Sequence, residues 1–223
     1  MSDEFYVHDT AVVDDPDSLS PGCMVWHFTH VAAGAKIGPN VMLGQGCYID
    51  KDVEIGQGCR VQNGVSIYRG TRIGDYVFIG PNATFTNARL PKVKRREDDP
   101  FIPDSILVED RATIGANVTL VAPLVIGESA FVAAGSVVTH DVLPYTLVMG
   151  TPAKAVSGIC SECLRKIPLS WASNARFNDP GLDRYVCDCG AIYMKIGKVS
   201  PPFTGKYILI KVRNGDGNEK NCD

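Results

Sequence analysis

The sequence predicts an all-β fold: a triangular prism of parallel strands followed by a small cysteine-containing subdomain. Three observations carry this. An aliphatic residue recurs every six positions, glycine often follows it, and the C-terminal stretch abandons that pattern while gathering four cysteines. Stepping by six from Val7 gives Val13, Leu19, Val25, Val31, Ile37, Leu43, Ile49, Ile55, Val61, Ile67, Ile73, Ile79 and Phe85. The phase breaks there and restarts at Val108, continuing through Ile114, Leu120, Ile126, Val132 and Val138. With 45% hydrophobic residues in the chain, filling every position of these two runs would occur by chance about once in ten million.

Each element of the prism follows from that series. Two residues before the periodic aliphatic stand small or β-branched residues, among them Ala35, Val41, Cys47, Val53, Cys59, Val65, Thr71, Val77 and Ala83. A strand alternates faces with period two, so both positions point inward. Cys23, Cys47 and Cys59 are accordingly read as core. Glycine after the aliphatic, as in Ile37-Gly38 and Ile55-Gly56, is expected to supply the freedom for a sharp corner. One short strand and one corner per six residues, three sides to a coil, predicts six to seven coils. At about 4.8 Å per coil the prism stands roughly 30 Å tall. A helix fits neither the step nor the glycine content.

Composition bounds the rest. The 223 residues carry 22 basic and 25 acidic side chains, a net charge of −3, which disfavours a dedicated nucleic-acid binder. No apolar run of about 18 residues exists and the start is polar. The expectation is a cytoplasmic protein without a membrane segment. Residues 1–156 are read as the prism domain, with a loop inserted at 86–107, and residues 157–223 as the appended subdomain.

Function is sought where the repeat is interrupted. Trp26, His27, Phe28 and His30 crowd one hexad whose Val25 and Val31 point inward, so they face a subunit interface, a binding site, or both. The loop 86–107 holds Arg89, Lys92, Lys94, Arg95 and Arg96 ahead of Glu97, Asp98 and Asp99. It is either a self-paired solvated loop or a flap whose basic end meets phosphate or a sugar carboxylate. The third interruption is the exit, Ala133-Ala134-Gly135 through Gly150-Thr151-Pro152-Ala153-Lys154.

A hexapeptide prism followed by that exit resembles the acyl-CoA-dependent acyltransferases of the hexapeptide-repeat superfamily, over roughly residues 7–156. The resemblance implies a left-handed parallel β-helix and a homotrimer with acyl-CoA between neighbouring prisms. It also implies that Ala134 and Gly135 line the pantetheine and that Lys154 meets a CoA phosphate. Three strings narrow it: Trp26-His27-Phe28-x-His30, Val61-Gln62-Asn63-Gly64-Val65-Ser66-Ile67-Tyr68, and Phe78-Ile79-Gly80-Pro81 leading to Phe85-Thr86-Asn87. They resemble the sugar-nucleotide 3-N-acetyltransferases, notably those acetylating UDP-2-acetamido-3-amino-2,3-dideoxyglucuronate for surface polysaccharide. A sister group acts on dTDP-3-amino-deoxyhexoses. The residues expected to hold the substrate are Trp26, His27, Asn63 and Tyr68 from these strings, with Arg89 and Lys92 from the basic end of the loop. After Asn87 the chain departs from the family's usual acidic residue and Pro-Arg pair, having Ala88, Arg89, Leu90, Pro91 and Lys92 instead.

Acetyl transfer to an amine needs a neutral nucleophile, donors for the oxyanion and a destination for the proton. Asn87 is expected to orient the amine, and a corner N–H near Gly115 or Gly135 to meet the oxyanion. The CoA sulfur, or His30 or His27 as base, takes the proton. A hexapeptide-fold carbonic anhydrase would need three histidine ligands, and His8, His27, His30 and His140 offer no suitable set. A non-enzymatic scaffold is the remaining class.

In the tail, Cys160-x2-Cys163 and Cys187-x-Cys189 have roughly the spacing of a four-cysteine zinc ribbon. The second pair is one residue short of C-x2-C, and free thiols or disulfides are the alternatives. Such a zinc would be structural, since four thiolates leave no open coordination position. Tyr207–Val212 is read as a strand closing this subdomain.

Overall fold

The computed structural model describes residues 4–91, 93, 102–168, 184–196 and 208–212. Its organising feature is a set of three parallel ladders in which residues eighteen apart sit one above another. On the first face Val7, Val25, Leu43, Val61, Ile79, Ile114, Val132 and Val148 stack in register. On the second stand Val13, Val31, Ile49, Ile67, Phe85, Leu120 and Val138. The third carries Leu19, Ile37, Ile55, Ile73, Val108, Ile126 and Val142. These make seven coils, matching the upper end of the expected range and consistent with the left-handed prism. The only helical element among the described residues is a 3₁₀ turn at Pro16–Ser18.

From Leu19 onward the periodic aliphatics, with most of the residues two before them, form one continuous buried core against which Val7 and Val13 pack. Each such Val, Ile or Leu contributes about 1.5–3 kcal/mol by leaving water. Cys23, Cys47 and Cys59 lie in this core as expected, and each Sγ donates to a backbone carbonyl one coil on, at 3.1 Å from Gly38, Gln62 and Gly74. Thr29 fills the same slot: its hydroxyl donates to the Gly44 carbonyl at 2.6 Å and accepts from the Cys47 N–H.

The corners work differently from the sequence expectation. Gly38, Gly44, Gly56, Gly74, Gly80, Gly115 and Gly127, which follow the aliphatic, have no positive φ. What they lack is room. A Cβ on Gly38 would lie 2.8 Å from the Gly56 carbonyl carbon of the next coil, closer than atoms can sit. The left-handed turn residue comes two positions later. It is Gly34, Gly46, Gly58 or Gly64 in some coils, Asn40, Asp52 or Asn82 in others, and Phe28 or Tyr76 elsewhere. Its N–H donates to the coil below, as Gly46 does to the His27 carbonyl at 2.8 Å.

The insertion after Phe85 rejoins the ladder two residues earlier than predicted. Ile106–Val108 is a strand, with Ile106 paired to Thr71 and Val108 to Ile73. Beyond the last coil, Thr146–Gly150 and Ala153–Ile159 form an antiparallel hairpin, to which Lys166–Ile167 adds. A separate three-stranded antiparallel sheet comprises Arg184–Val186, Ile192–Ile196 and Ile208–Val212. It includes the strand expected at the chain's end, except for Tyr207, which lies outside the described residues. A second, smaller core of Tyr145, Cys160, Ile167, Cys187, Ala191, Tyr193 and Leu209 joins these pieces.

Candidate functional site

The aromatic hexad lies where the period places it, across the edge between the first and second faces. Val25 and Val31 anchor its two ends in the core, so the residues between them must round the corner. Tyr6 packs on Trp26 with ring centroids 5.5 Å apart, and His8 stacks on His27 at 3.5 Å. Phe28 holds the left-handed corner position with φ of 57° and is 66% exposed. A bulky residue is unfavourable in that region, and its N–H donates to the Thr10 hydroxyl.

His30 stands one coil above Val12 in the outward column of the second face. Its Nε2 lies 3.1 Å from Asp14 Oδ2, one coil below. Its ring meets Tyr48 edge-on at 5.7 Å, and Tyr48 meets Tyr68 at 5.6 Å. The Tyr48 hydroxyl donates to Asp50 Oδ1, while Asp50 Oδ2 accepts the Arg69 N–H and Asp52 pairs with the Arg69 guanidinium at 3.0 Å. Burial first, and then the Asp50 charge, push the Tyr48 phenol above its ordinary value. Asp14, Asp50 and Arg69 were not picked out from the sequence. Their signal was the eighteen-residue offset: Asp14, Asp50 and Tyr68 each follow a periodic aliphatic of the second face.

Asn87 and Arg89 stand at the neck of the insertion, on the edge after the second face. The Asn87 carbonyl accepts the Asp104 N–H, and Asp104 Oδ2 accepts the Arg89 N–H, both at 2.9 Å. The Asn87 side chain, half-buried, has no hydrogen-bond partner among the described residues. Lys92, Lys94, Arg95 and Arg96 lie outside the described residues.

Asn63, Gly115, Ala134 and Gly135 continue the edge that begins at Trp26 and His27. The N–H groups of Gly115 and Gly135 donate to the Val132 and Ala116 carbonyls at 2.8 Å. Neither is therefore available to an oxyanion, because the strand end and the turn residue both belong to the inter-coil ladder. On this edge the N–H groups of His27, Asn63, Ala116 and Ala134 have no acceptor among the described residues. Lys154 is exposed on the exit hairpin, paired across it with Met149.

The second face and its two edges thus carry Trp26, His27, His30, Asn63, Tyr68, Asn87, Arg89, Gly115, Ala134 and Gly135. They are not brought to one point. His30 belongs to the second coil, Asn87 to the fifth and Ala134 to the seventh, so three coil steps of about 4.8 Å separate His30 from Asn87 along the axis.

The prism thiols are poor nucleophiles. Burial raises all three, Cys59 to about 11. The tail cysteines do converge: the sulfurs of Cys160, Cys163, Cys187 and Cys189 all lie within 4.8 Å of one another, and none is in a disulfide.

The family model described as bacterial transferase hexapeptide (six repeats) matches residues 52–87, and the hexapeptide repeat of succinyl-transferase matches 34–69 and 105–140. A curated relative, dTDP-3-amino-3,6-dideoxy-alpha-D-galactopyranose 3-N-acetyltransferase of Aneurinibacillus thermoaerophilus, is 40% identical over 39% of this chain and 39% of its own length. The chain thus spans about two fifths of that relative. Among solved structures, AntD, an N-acyltransferase from Bacillus cereus, is 16% identical, covering 69% of this chain and 79% of its own, with a TM-score of 0.52. The acetyltransferase domain of PglB from Neisseria gonorrhoeae is also 16% identical, covering 69% and 58%, with a TM-score of 0.50. Both likenesses speak to the fold. No helix among the described residues is long and apolar enough to cross a membrane.

Proposed function

From the premise that this chain is built on the hexapeptide repeat of bacterial transferases, we propose that it is an acetyl-CoA-dependent N-acetyltransferase acting on a nucleotide-linked amino sugar. The observation that carries the reading is the gathering of aromatic, imidazole and amide side chains on one face of the prism and its two edges. The prism domain of residues 1–156 then works as a homotrimer, so that residues separated along one axis meet across neighbouring prisms. The motif strings favour the 3-amino group of UDP-2-acetamido-3-amino-2,3-dideoxyglucuronate, destined for surface polysaccharide. The curated relative, which by name uses a dTDP sugar, favours a dTDP-3-amino-deoxyhexose as the second reading.

The chemistry is direct attack. A sugar amine flanked by oxygens titrates near the α-amino value of about 8, so a usable fraction is neutral at physiological pH. The amine nitrogen bonds to the thioester carbonyl carbon, the carbon–sulfur bond breaks, and the amine's proton passes to the departing thiolate. Asn87 orients the amine. The N–H of Ala134, which packs against Gly115 and has no acceptor among the described residues, is the donor to the oxyanion; Gly135, with open space where a Cβ would stand, leaves the backbone accessible to the pantetheine, and Lys154 meets a CoA phosphate. Trp26, His27, Asn63, Tyr68, Arg89 and Lys92 hold the sugar nucleotide. His30, held by Asp14, is the alternative base. The test is thiol release from acetyl-CoA against UDP- and dTDP-linked 3-amino sugars. Asn87→Ala should lower kcat by about a hundredfold. If His30 is the base, His30→Ala does so at neutral pH and spares the alkaline limb. No release with any such sugar would leave the scaffold class standing.

A further inference from the structure

We propose that Cys160, Cys163, Cys187 and Cys189 bind one Zn²⁺ ion, and that this ion fastens the exit hairpin to the small antiparallel sheet. The inference stands apart from the acetyl-transfer reading, and its test does not use turnover.

Geometry supports a single centre. Tetrahedral zinc with Zn–S near 2.3 Å requires sulfurs about 3.8 Å apart. Here the Cys160 and Cys189 sulfurs are 3.6 Å apart, those of Cys163 and Cys187 are 3.5 Å apart, and all four fall within 4.8 Å of one another. Two isolated disulfides would need no such mutual approach of all four.

The surroundings are those of a thiolate site. The chain turns tightly after each pair: the Leu164 N–H donates to the Cys160 carbonyl at 2.9 Å and the Gly190 N–H to the Cys187 carbonyl at 2.8 Å. Leu164 and Gly190, each following the second cysteine of a pair, take positive φ to make these turns. Tyr193, fully buried, donates its hydroxyl to Cys160 Sγ at 3.2 Å while accepting the Ser161 N–H at 2.8 Å. That is the supporting shell a metal ligand normally has. Outside the cluster, Arg165 bridges to Asp188, joining the two pairs at 2.6 Å.

An ion suits the small core. Among the described residues that core gathers seven buried side chains, two of them ligand cysteines, and cores of this size are commonly fastened by a metal or a disulfide. The ligands also sit at the junction. Cys160 directly follows the hairpin strand Ala153–Ile159, the Ile159 N–H donates to the Tyr145 carbonyl, and Tyr145 meets Tyr193 edge-on at 5.5 Å. Cys187 and Cys189 belong to the sheet's first turn.

Elemental analysis of the full chain, purified without added metal, should give close to one zinc per chain. Less than about 0.3 zinc, a different metal, or a mass deficit from two disulfides would overturn the assignment. Replacement with Co²⁺ should produce thiolate-to-cobalt absorption in the near ultraviolet and tetrahedral visible bands. Cys163→Ser and Cys187→Ser should each lower zinc content at least tenfold, whereas Cys59→Ser in the prism leaves it unchanged. Since ligand variants risk misfolding, the wild-type chain is also digested with and without a strong chelator. Chelation should expose the region after residue 159 to protease while the prism resists. Equal resistance under both conditions would overturn the fastening role.

Discussion

On the third face of the prism the outward residues run Lys36, Glu54, Arg72, Leu107 and Val125; on the second they run Val12, His30, Tyr48, Ser66, Thr84, Thr119 and Val137. The backbones beneath are interchangeable, but the surfaces are not. On the third face the charges answer one another up the ladder, Lys36 to Glu54 at 3.0 Å and Arg72 to Glu54 at 3.4 Å. On the second, the hydroxyls of Ser66, Thr84 and Thr119 have no partner among the described residues, and the one imidazole is oriented by a carboxylate. A face whose groups are already paired offers little to a ligand. One with aligned but unpaired groups is suited to receive it.

The equivalence beneath the surface can be broken first. Ile49→Ala and Ile55→Ala remove inward residues of the same coil from the second and third faces, and each should cost about 2–5 kcal/mol in denaturant unfolding. A gap between them wider than that range would mean the two ladders are not equivalent. A smaller effect tests the edges. Gly44→Ala and Gly56→Ala place a Cβ 2.8 Å from the Asn63 nitrogen and 2.6 Å from the Gly74 carbonyl carbon, and each should cost about 1–3 kcal/mol. Wild-type midpoints for both would refute the crowding account of these glycines.

Smallest is the surface of the third face. Glu54→Gln should cost less than about 1 kcal/mol, since the pair is exposed and screened. The Lys36 hydrogen bond, with the Lys36 and Arg72 charges, holds the Glu54 carboxyl below its usual range. Its contribution is therefore present at neutral pH and fades as pH falls below roughly 4. Acetyl transfer by Glu54→Gln should stay at the wild-type rate; a large loss would mean the third face also belongs to the site.

The core was legible almost residue by residue, because burial imposes a period that a linear count detects. The corners were half legible. Glycine after the aliphatic was visible, but its cause, a neighbouring coil eighteen residues away, is not local. The true turn position escaped because it accepts Gly, Asn, Asp, Phe and Tyr alike, leaving no residue type to count. The site divides the same way. Trp26, His27 and His30 stood out as an unusual run, whereas the Asp14 that orients His30 lies sixteen residues off. Asp104, which closes the insertion's neck through Asn87 and Arg89, is invisible until Ile106 is seen to pair with Thr71. The cysteine spacing looked one residue short, yet the turns at Leu164 and Gly190 bring the sulfurs together regardless.

Between Phe85 and Val108 the chain spends twenty-three positions where six would do, yet Val108 lands on Ile73 below and Ile126 above without slippage. Alignment is thus dictated by the strands already in place and not by counting along the chain. A corner of this prism is consequently an open port: new sequence can be admitted there and tried against new ligands while every buried side chain keeps its neighbours.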